Sequence, residues 1–261
     1  MSMRLTGLHR LPADCPRASD GATAIATPPA RRPQCVGGLL LDMCNVLYDD
    51  TVWRRWVLQL LSHFGLFTYY RCFFRIWDRD YLDGVHRGQR SFCEAFEAFL
   101  LSVGLSPGQI HEIEAACMAR RRNLQESMRP LPGVKNTLTR LHHGGLVLGA
   151  IANSEHPAGV LEEHLCRLGI RDLFGAVVSS IDLQKTMPDP ACYHAALEQM
   201  KLPADQVAFV DHDPIELAGA AALGMPTIAF NSDPDAQADV YLGRFEELLD
   251  VVSPPSKKAA A

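Results

Sequence analysis

Four polar side chains stand at the ends of apolar runs in this chain. Asp42 closes GLLLD, Asn153 follows LVLGAIA, Asp182 follows GAVVSSI and Asp211 closes VAFVD. A carboxylate at the carboxyl end of a buried strand is placed to attack an electrophile, to move a proton or to hold a cation. Near these four lie other reactive types: Cys44 two residues after Asp42, Asn45 beside it, Ser154 after Asn153, Lys185 after Asp182, and His212 and Asp213 after Asp211. Cys44 and His212 together would make a thiol–imidazole pair, or a softer metal site with Asp42 as third ligand. The plainer reading of Cys44 is a small residue filling buried space.

For these groups to act together, the runs that carry them must be neighbouring strands. Between Gly38 and Ser232 the chain alternates short apolar runs with amphipathic stretches. LVLGAIANS, LFGAVVSSID, QVAFVDHD and PTIAFNS read as strands. LPGVKNTLTRLHHGG, HPAGVLEEHLCRLGI, DPACYHAALEQMKL and PIELAGAAALGM read as helices. Such alternation predicts an α/β fold, a parallel sheet with helices on both faces, whose ligands bind beyond the carboxyl ends of the strands. Asp42, Asn153, Asp182 and Asp211 are then predicted to converge on one crevice. The alternation breaks once. From Thr51 to Glu126 there is no strand signal. WRRWVLQLLSHF puts Trp53, Trp56, Val57, Leu60, Leu61 and Phe64 on one helical face, and two further helices follow, the second starting with Ser106 as N-cap and Pro107 at its first position.

The composition excludes several classes. The 261 residues carry 25 basic and 30 acidic side chains, a formal net charge of −5, so no basic excess points to nucleic acid. No apolar run is long enough for a transmembrane helix, and no signal-peptide core opens the chain. The eight cysteines show no CxxC pair and no zinc-finger spacing, which suggests buried free thiols in a reducing, cytoplasmic setting. Residues 1–35, rich in Pro, Ala and Arg, and the tail 253–261 are expected to be disordered.

Five pieces in order resemble the haloacid dehalogenase-like (HAD) superfamily: the strand ending at Asp42, LPGVKNTLTRLHHGG, the strand ending at Ala152-Asn153, the PDP helix start at Pro188-Asp189-Pro190, and FVDHDP…AAALGMPTI. The resemblance implies a Rossmann-like, doubly wound core at 36–50 and 130–252, with an inserted all-helical cap at 51–129. It also implies a chemistry. An aspartate attacks phosphorus, an acid two residues on protonates the leaving group, a Ser or Thr binds phosphoryl oxygens, a Lys before the PDP helix offsets charge, and acids at the last motif hold magnesium.

Against that pattern only Asp42 matches outright. Cys44 stands for the second acid, Asn45-Val46 for Gly-Thr, Ala152 for the Ser or Thr, Met187 for the Lys, and Asp211-His212 for paired acids. Lys185 could swing back into the site, and Asp213 or Asp182 could take over from His212. Early in the cap, Arg54 and Arg55 are candidate cations, or ordinary solvated charges. The sequence therefore predicts a degenerate phosphatase site, without ordinary magnesium-dependent activity, that binds a small anionic or phosphorylated ligand or a partner. Its catalytic candidates are Asp42, Cys44, Asn153 and Lys185. Its ligand contacts are Asn45, Ala152, Ser154 and Arg54, and its metal candidates Asp42, Asp211, His212 and Asp213. Two alternatives stand beside it. One is a divergent phosphatase, dehalogenase or phosphonatase-like hydrolase that still uses Asp42. The other is an interaction protein, forming a homo-oligomer or meeting a protein partner or membrane surface through FGLFTYYRCFFRIWDRDYLDG, which has seven aromatics before Asp78 and Arg71, Arg75 and Arg79 at four-residue spacing.

Overall fold

The computed structural model describes residues 34–49, 51–126, 128–232 and 234–253. The expected disorder of residues 1–33 and 254–261 lies outside these. In chain order the elements are β1 (Gln34–Cys35), β2 (Gly38–Asp42), α1 (Thr51–His63), α2 (Tyr70–Ile76), a π-helical turn (Trp77–Leu82), α3 (Asp83–His86), α4 (Phe92–Ser102) and α5 (Pro107–Glu126). There follow α6 (Val134–His143), β3 (Val147–Ala152), α7 (Ala158–Leu168), β4 (Phe174–Ser179), α8 (Ser180–Leu183), α9 (Pro190–Met200), β5 (Val207–Asp211), α10 (Pro214–Ala222), β6 (Thr227–Phe230), β7 (Val240–Leu242), α11 (Leu248–Val251) and β8 (Val252–Ser253).

Six strands form one parallel sheet in the order β4-β3-β2-β5-β6-β7. The five apolar runs of the sequence are β2 to β6, because a parallel sheet covered on both faces reads as continuous hydrophobic sequence. Alternate residues feed opposite faces. Leu39, Leu41, Ala208 and Val210 enter one buried core, and Leu40, Val207 and Phe209 enter the other. β7 adds an edge that the sequence pattern does not reveal. β1 pairs in parallel with β8, so Gln34, Cys35 and Ser253, expected to be disordered, are part of the fold.

From β2 the chain winds outward through β3 and β4 on one side, then returns to β5 and winds outward on the other. β2 and β5 therefore flank the point where strand order reverses, the place where such sheets open a crevice. Leu41 pairs with Val210, so Asp42 and Asp211 end adjacent strands.

The helices from Thr51 to Glu126 pack around a third core of their own, built on Val57, Leu61, Phe73, Phe74, Trp77, Phe96, Phe99, Leu100, Ile110 and Ile113. Trp77 meets Phe92, Phe96 and Phe99 at ring-centroid distances of 5.4–5.5 Å, mostly edge to face. α4 begins at Ser91, whose side chain and Glu94 cap each other reciprocally. The insert leaves and rejoins the sheet at one place: Tyr48 bridges Pro130, and the Leu131 N–H donates to the Leu47 carbonyl at 2.9 Å. No described helix is long and apolar enough to cross a membrane.

Candidate active site

Asp42 ends β2 with 5 % of its surface exposed, and Asp211 ends β5 with none exposed. His212 follows at once and turns its ring back between the two. Its Nδ1 lies 3.0 Å from Asp211 Oδ1 and 3.9 Å from Asp42 Oδ2. Asp42, Asp211 and His212 each offer one donor atom within 4.8 Å of the others, the one such three-residue group among the described residues. Asp211 Oδ1 accepts from the backbone N–H of His212, and at 3.3 Å from that of Asp213. Asp211 Oδ2, equally buried, is reached by no N–H donor.

Behind this group stands Glu216, in the first turn of α10. Its carboxyl faces Asp211 and accepts from Asn153 Nδ2 at 2.7 Å. Burial holds its pKa well above the carboxylate range, and the charges of Asp211, Asp42 and Asp213 push it the same way. Asp213 is also raised, chiefly by burial. For His212 burial is the largest effect and opposes the charged ring. The hydrogen bond to Asp211 and the charges of Asp211, Asp42 and Asp213 outweigh it and lift the pKa to about 9. The crevice is thus strongly acidic, with an imidazolium inside it.

The structure engages the other predicted residues as follows. Cys44 Sγ lies 3.2 Å from Tyr48 Oη, in a loop anchored by buried Met43, Val46 and Leu47. Asn45 adopts a left-handed backbone, with φ +58°, and sets Nδ2 3.5 Å from His212 Nε2. Ala152 is buried in the core beside the sheet. Asn153 is committed to the facing loop: its Oδ1 accepts from the Met187 N–H at 2.8 Å and its Nδ2 donates to the Met187 carbonyl at 3.3 Å. Ser154 Oγ accepts from the His156 N–H at 3.0 Å, closing a local turn.

Four expectations are corrected. Lys185 does not swing back. Its side chain, 54 % exposed, pairs with Asp189 Oδ2 at 3.0 Å, at the start of the next helix. Asp213 is no metal ligand here, because its carboxylate caps α10, accepting from the N–H groups of Ile215 and Glu216 at 2.7 and 3.1 Å. Asp182 lies past the end of β4, and it accepts from the Ala158 N–H at 2.8 Å at the start of α7. Arg54 is held inside the insert by Asp78 at 2.7 Å and by the Phe74 ring at 5.0 Å from its centroid. One bland reading also changes. Of Cys35, Cys44, Cys93, Cys117, Cys166 and Cys192 only Cys117 and Cys192 are buried, and Cys72 is disulfide-bonded, so the expectation of buried free thiols is corrected.

The sequence reading missed Glu216. Its signal was local: an acid three residues after Asp213, in the first turn of a helix that follows a strand-terminal acid. It also missed the contacts that join the helical insert to the loop before Pro188. Thr186 Oγ1 donates to Asp83 Oδ1 at 2.8 Å and accepts from Arg87 Nε at 3.2 Å. Ser180 Oγ donates to the His86 carbonyl at 2.9 Å. The loop they clamp carries the cis bond Met187-Pro188, and Pro188 leaves no room for a side chain at Gly219, where a Cβ would lie 2.6 Å from the proline Cβ.

Magnesium is the cofactor the fold implies, and the donor set does not match it. Two donors are carboxylates, but the third is an imidazole, whereas magnesium keeps an oxygen shell.

A family model described as haloacid dehalogenase-like hydrolase matches residues 97–230, just over half of the chain. A phosphoglycolate phosphatase of Yersinia pestis is 28 % identical over 144 residues, 52 % of this chain and 61 % of the relative, so the chain spans under two thirds of that protein. A glyceraldehyde 3-phosphate phosphatase of Methanopyrus kandleri is 28 % identical over 167 residues, 60 % of this chain and 70 % of the relative. The crystal structure of a HAD-superfamily hydrolase of subfamily IA from Geobacter sulfurreducens superposes with a TM-score of 0.60 at 18 % identity, covering 84 % of this chain and 97 % of that one. With the strand-end acids at the switch point and the helical insert between β2 and α6, this match establishes that the chain belongs to the haloacid dehalogenase-like hydrolase family.

Proposed function

We propose that the crevice binds a small phosphorylated ligand and does not run the family's ordinary magnesium-dependent phosphatase cycle. The observation that carries this reading is the loop before Pro188. Met187, 5 % exposed, takes the place of the lysine, while Lys185 is tied 3.0 Å from Asp189. The cation that would offset a phosphoryl group's charge beside the nucleophile is therefore held elsewhere. Cys44 weakens the cycle further. A thiol with a reference pKa of about 8.5 is a poor substitute for a carboxylic acid that must protonate a leaving group and then activate water.

The ligand class rests on the relatives, whose names carry phosphoglycolate and glyceraldehyde 3-phosphate, both small phosphorylated compounds. A second reading, a divergent hydrolase that uses Asp42, draws on the convergence of Asp42, Asp211 and His212.

One experiment separates the two. Hydrolysis of an aryl phosphate, whose leaving group needs little protonation, is measured with magnesium, manganese or zinc, beside Asp42→Asn as control. The proposed reading expects no turnover above the control, together with binding of phosphoglycolate seen by calorimetry. Turnover that Asp42→Asn abolishes overturns it and establishes the hydrolase.

A further inference from the structure

The mismatch with magnesium has a positive content. We infer that Asp42, Asp211 and His212 form a carboxylate–imidazole site for a divalent transition metal of the manganese, cobalt or zinc class, in preference to magnesium. Three observations carry this. The three donor atoms lie within 4.8 Å of one another, a spread that small side-chain movements close onto one ion. The donors come from adjacent strand ends and the residue after one of them, so the sheet fixes them relative to one another. And the carboxylate of Asp211, with none of its surface exposed, packs against a second buried acid, Glu216, so the donor set lies in an acid-lined part of the crevice.

The choice of metal follows from donor chemistry. Carboxylate oxygens serve magnesium and the transition metals alike, whereas an imidazole nitrogen discriminates. Affinity for mixed nitrogen and oxygen sites rises from manganese through cobalt. His212 thus turns a site with two usable oxygens into one with a built-in preference. Its ring is positioned by its own backbone, since its N–H and Nδ1 both address Asp211 Oδ1. Asn45 Nδ2 lies 3.5 Å from Nε2, the other ring nitrogen, and a metal ion would take the place of the proton at Nδ1, so binding would release a proton. Asp213 and Cys44 are not part of the set, being engaged by the start of α10 and by Tyr48. The inference is independent of turnover. A site of this kind can serve a hydrolase, or hold a phosphorylated ligand that is not cleaved.

The test is calorimetric titration of the chelator-treated, full-length protein with cobalt(II), manganese(II) and magnesium(II), with thermal unfolding in each metal as a second readout. Wild type is expected to bind cobalt at least about tenfold more tightly than magnesium. His212→Asp, which supplies a second acid, is expected to reverse the order by weakening cobalt and strengthening magnesium. Asp211→Asn is expected to remove both. Circular dichroism identifies any variant that fails to fold, and His212→Asn then serves in place of His212→Asp, losing cobalt affinity without gaining magnesium. Equal affinities for cobalt and magnesium, cobalt binding that survives substitution of His212, or no binding of any cation would each overturn the inference.

Discussion

Acid should unfold this protein through a side chain that lies outside the crevice. His164 sits on α7 with 5 % of its surface exposed, and its Nδ1 is buried without a hydrogen-bond partner. Its ring meets that of His156 edge to face at 5.8 Å. Burial first, then the charges of His156 and Arg167, lower its pKa from 6.5 to about 4. The folded state therefore keeps the ring neutral, while the unfolded chain takes up a proton as soon as the pH falls below 6.5. The contribution is fully present above that pH and is lost as the pH falls from 6.5 through about 4, where the native ring protonates too. By about pH 5 the loss is about 2 kcal/mol, and by about pH 4 it is about 3 kcal/mol. Against a typical stability of about 5–15 kcal/mol this is large enough to read directly. The assay is urea unfolding of wild type and His164→Leu at neutral pH and near pH 5. The variant should lose less stability on acidification, by about 2 kcal/mol. His86, which burial also lowers to about 4, titrates in both proteins and cancels in the comparison. Parallel losses in the two proteins would refute the argument, because the burial of His164 would then carry no proton linkage.

Three further outcomes follow from the crevice and its clamp. The combined changes Cys44→Asp, Ala152→Ser and Met187→Lys should raise aryl phosphate hydrolysis above the Asp42→Asn background, and Cys44→Asp alone should not, since the missing positive charge remains missing. Lys185→Ala should change stability by no more than about 0.5 kcal/mol in urea unfolding and leave any hydrolysis untouched, because its pair with Asp189 is half exposed. Gly219→Ala should destabilise by about 1–3 kcal/mol in the same assay, since the new Cβ would lie 2.6 Å from the Pro188 Cβ and 2.8 Å from Tyr193 Oη.

How much was legible in the sequence depended on the range of the forces involved. Strands β2 to β6 were legible because burial on both faces leaves an apolar run with a polar end, and Asp42 and Asp211 could be placed from that alone. β7 was not, because only Leu242 of its three residues is buried. β1 and β8 are two residues each, too short to show a period. The aromatic segment was half legible. Phe73, Phe74 and Trp77 fill the core of the insert, as helical spacing suggests, while Phe67 and Tyr69 stand 79 % and 82 % exposed in the loop before α2. The fate of Lys185 could not be read, because a two-residue offset from Met187 is settled by which carboxylate the loop presents, and Asp189 is nearer. Nor could the clamp through Thr186, whose partners Asp83 and Arg87 lie 103 and 99 residues away.

The electrostatics of the crevice also order its binding events. The charges that act on Glu216 come from Asp211, Asp42 and Asp213, all of one sign, and His212 is the cation named against Asp213. An anion approaching such a site meets net repulsion, which a low-dielectric surround strengthens. In a site with a lysine, the anion finds a fixed counter-charge already present. On the proposed reading Met187 stands where that lysine would be, and a phosphorylated ligand would then have to arrive after a cation or with one. Its affinity should then depend on the metal far more steeply than in a lysine-bearing relative. Titration of phosphoglycolate into chelator-treated protein should show no heat of binding, and the heat should return when cobalt(II) is added. Phosphoglycolate binding of equal strength with and without metal would mean that the His212 imidazolium, or another cationic group facing the crevice, suffices to hold the anion, and would break the link between Met187 and the order of binding.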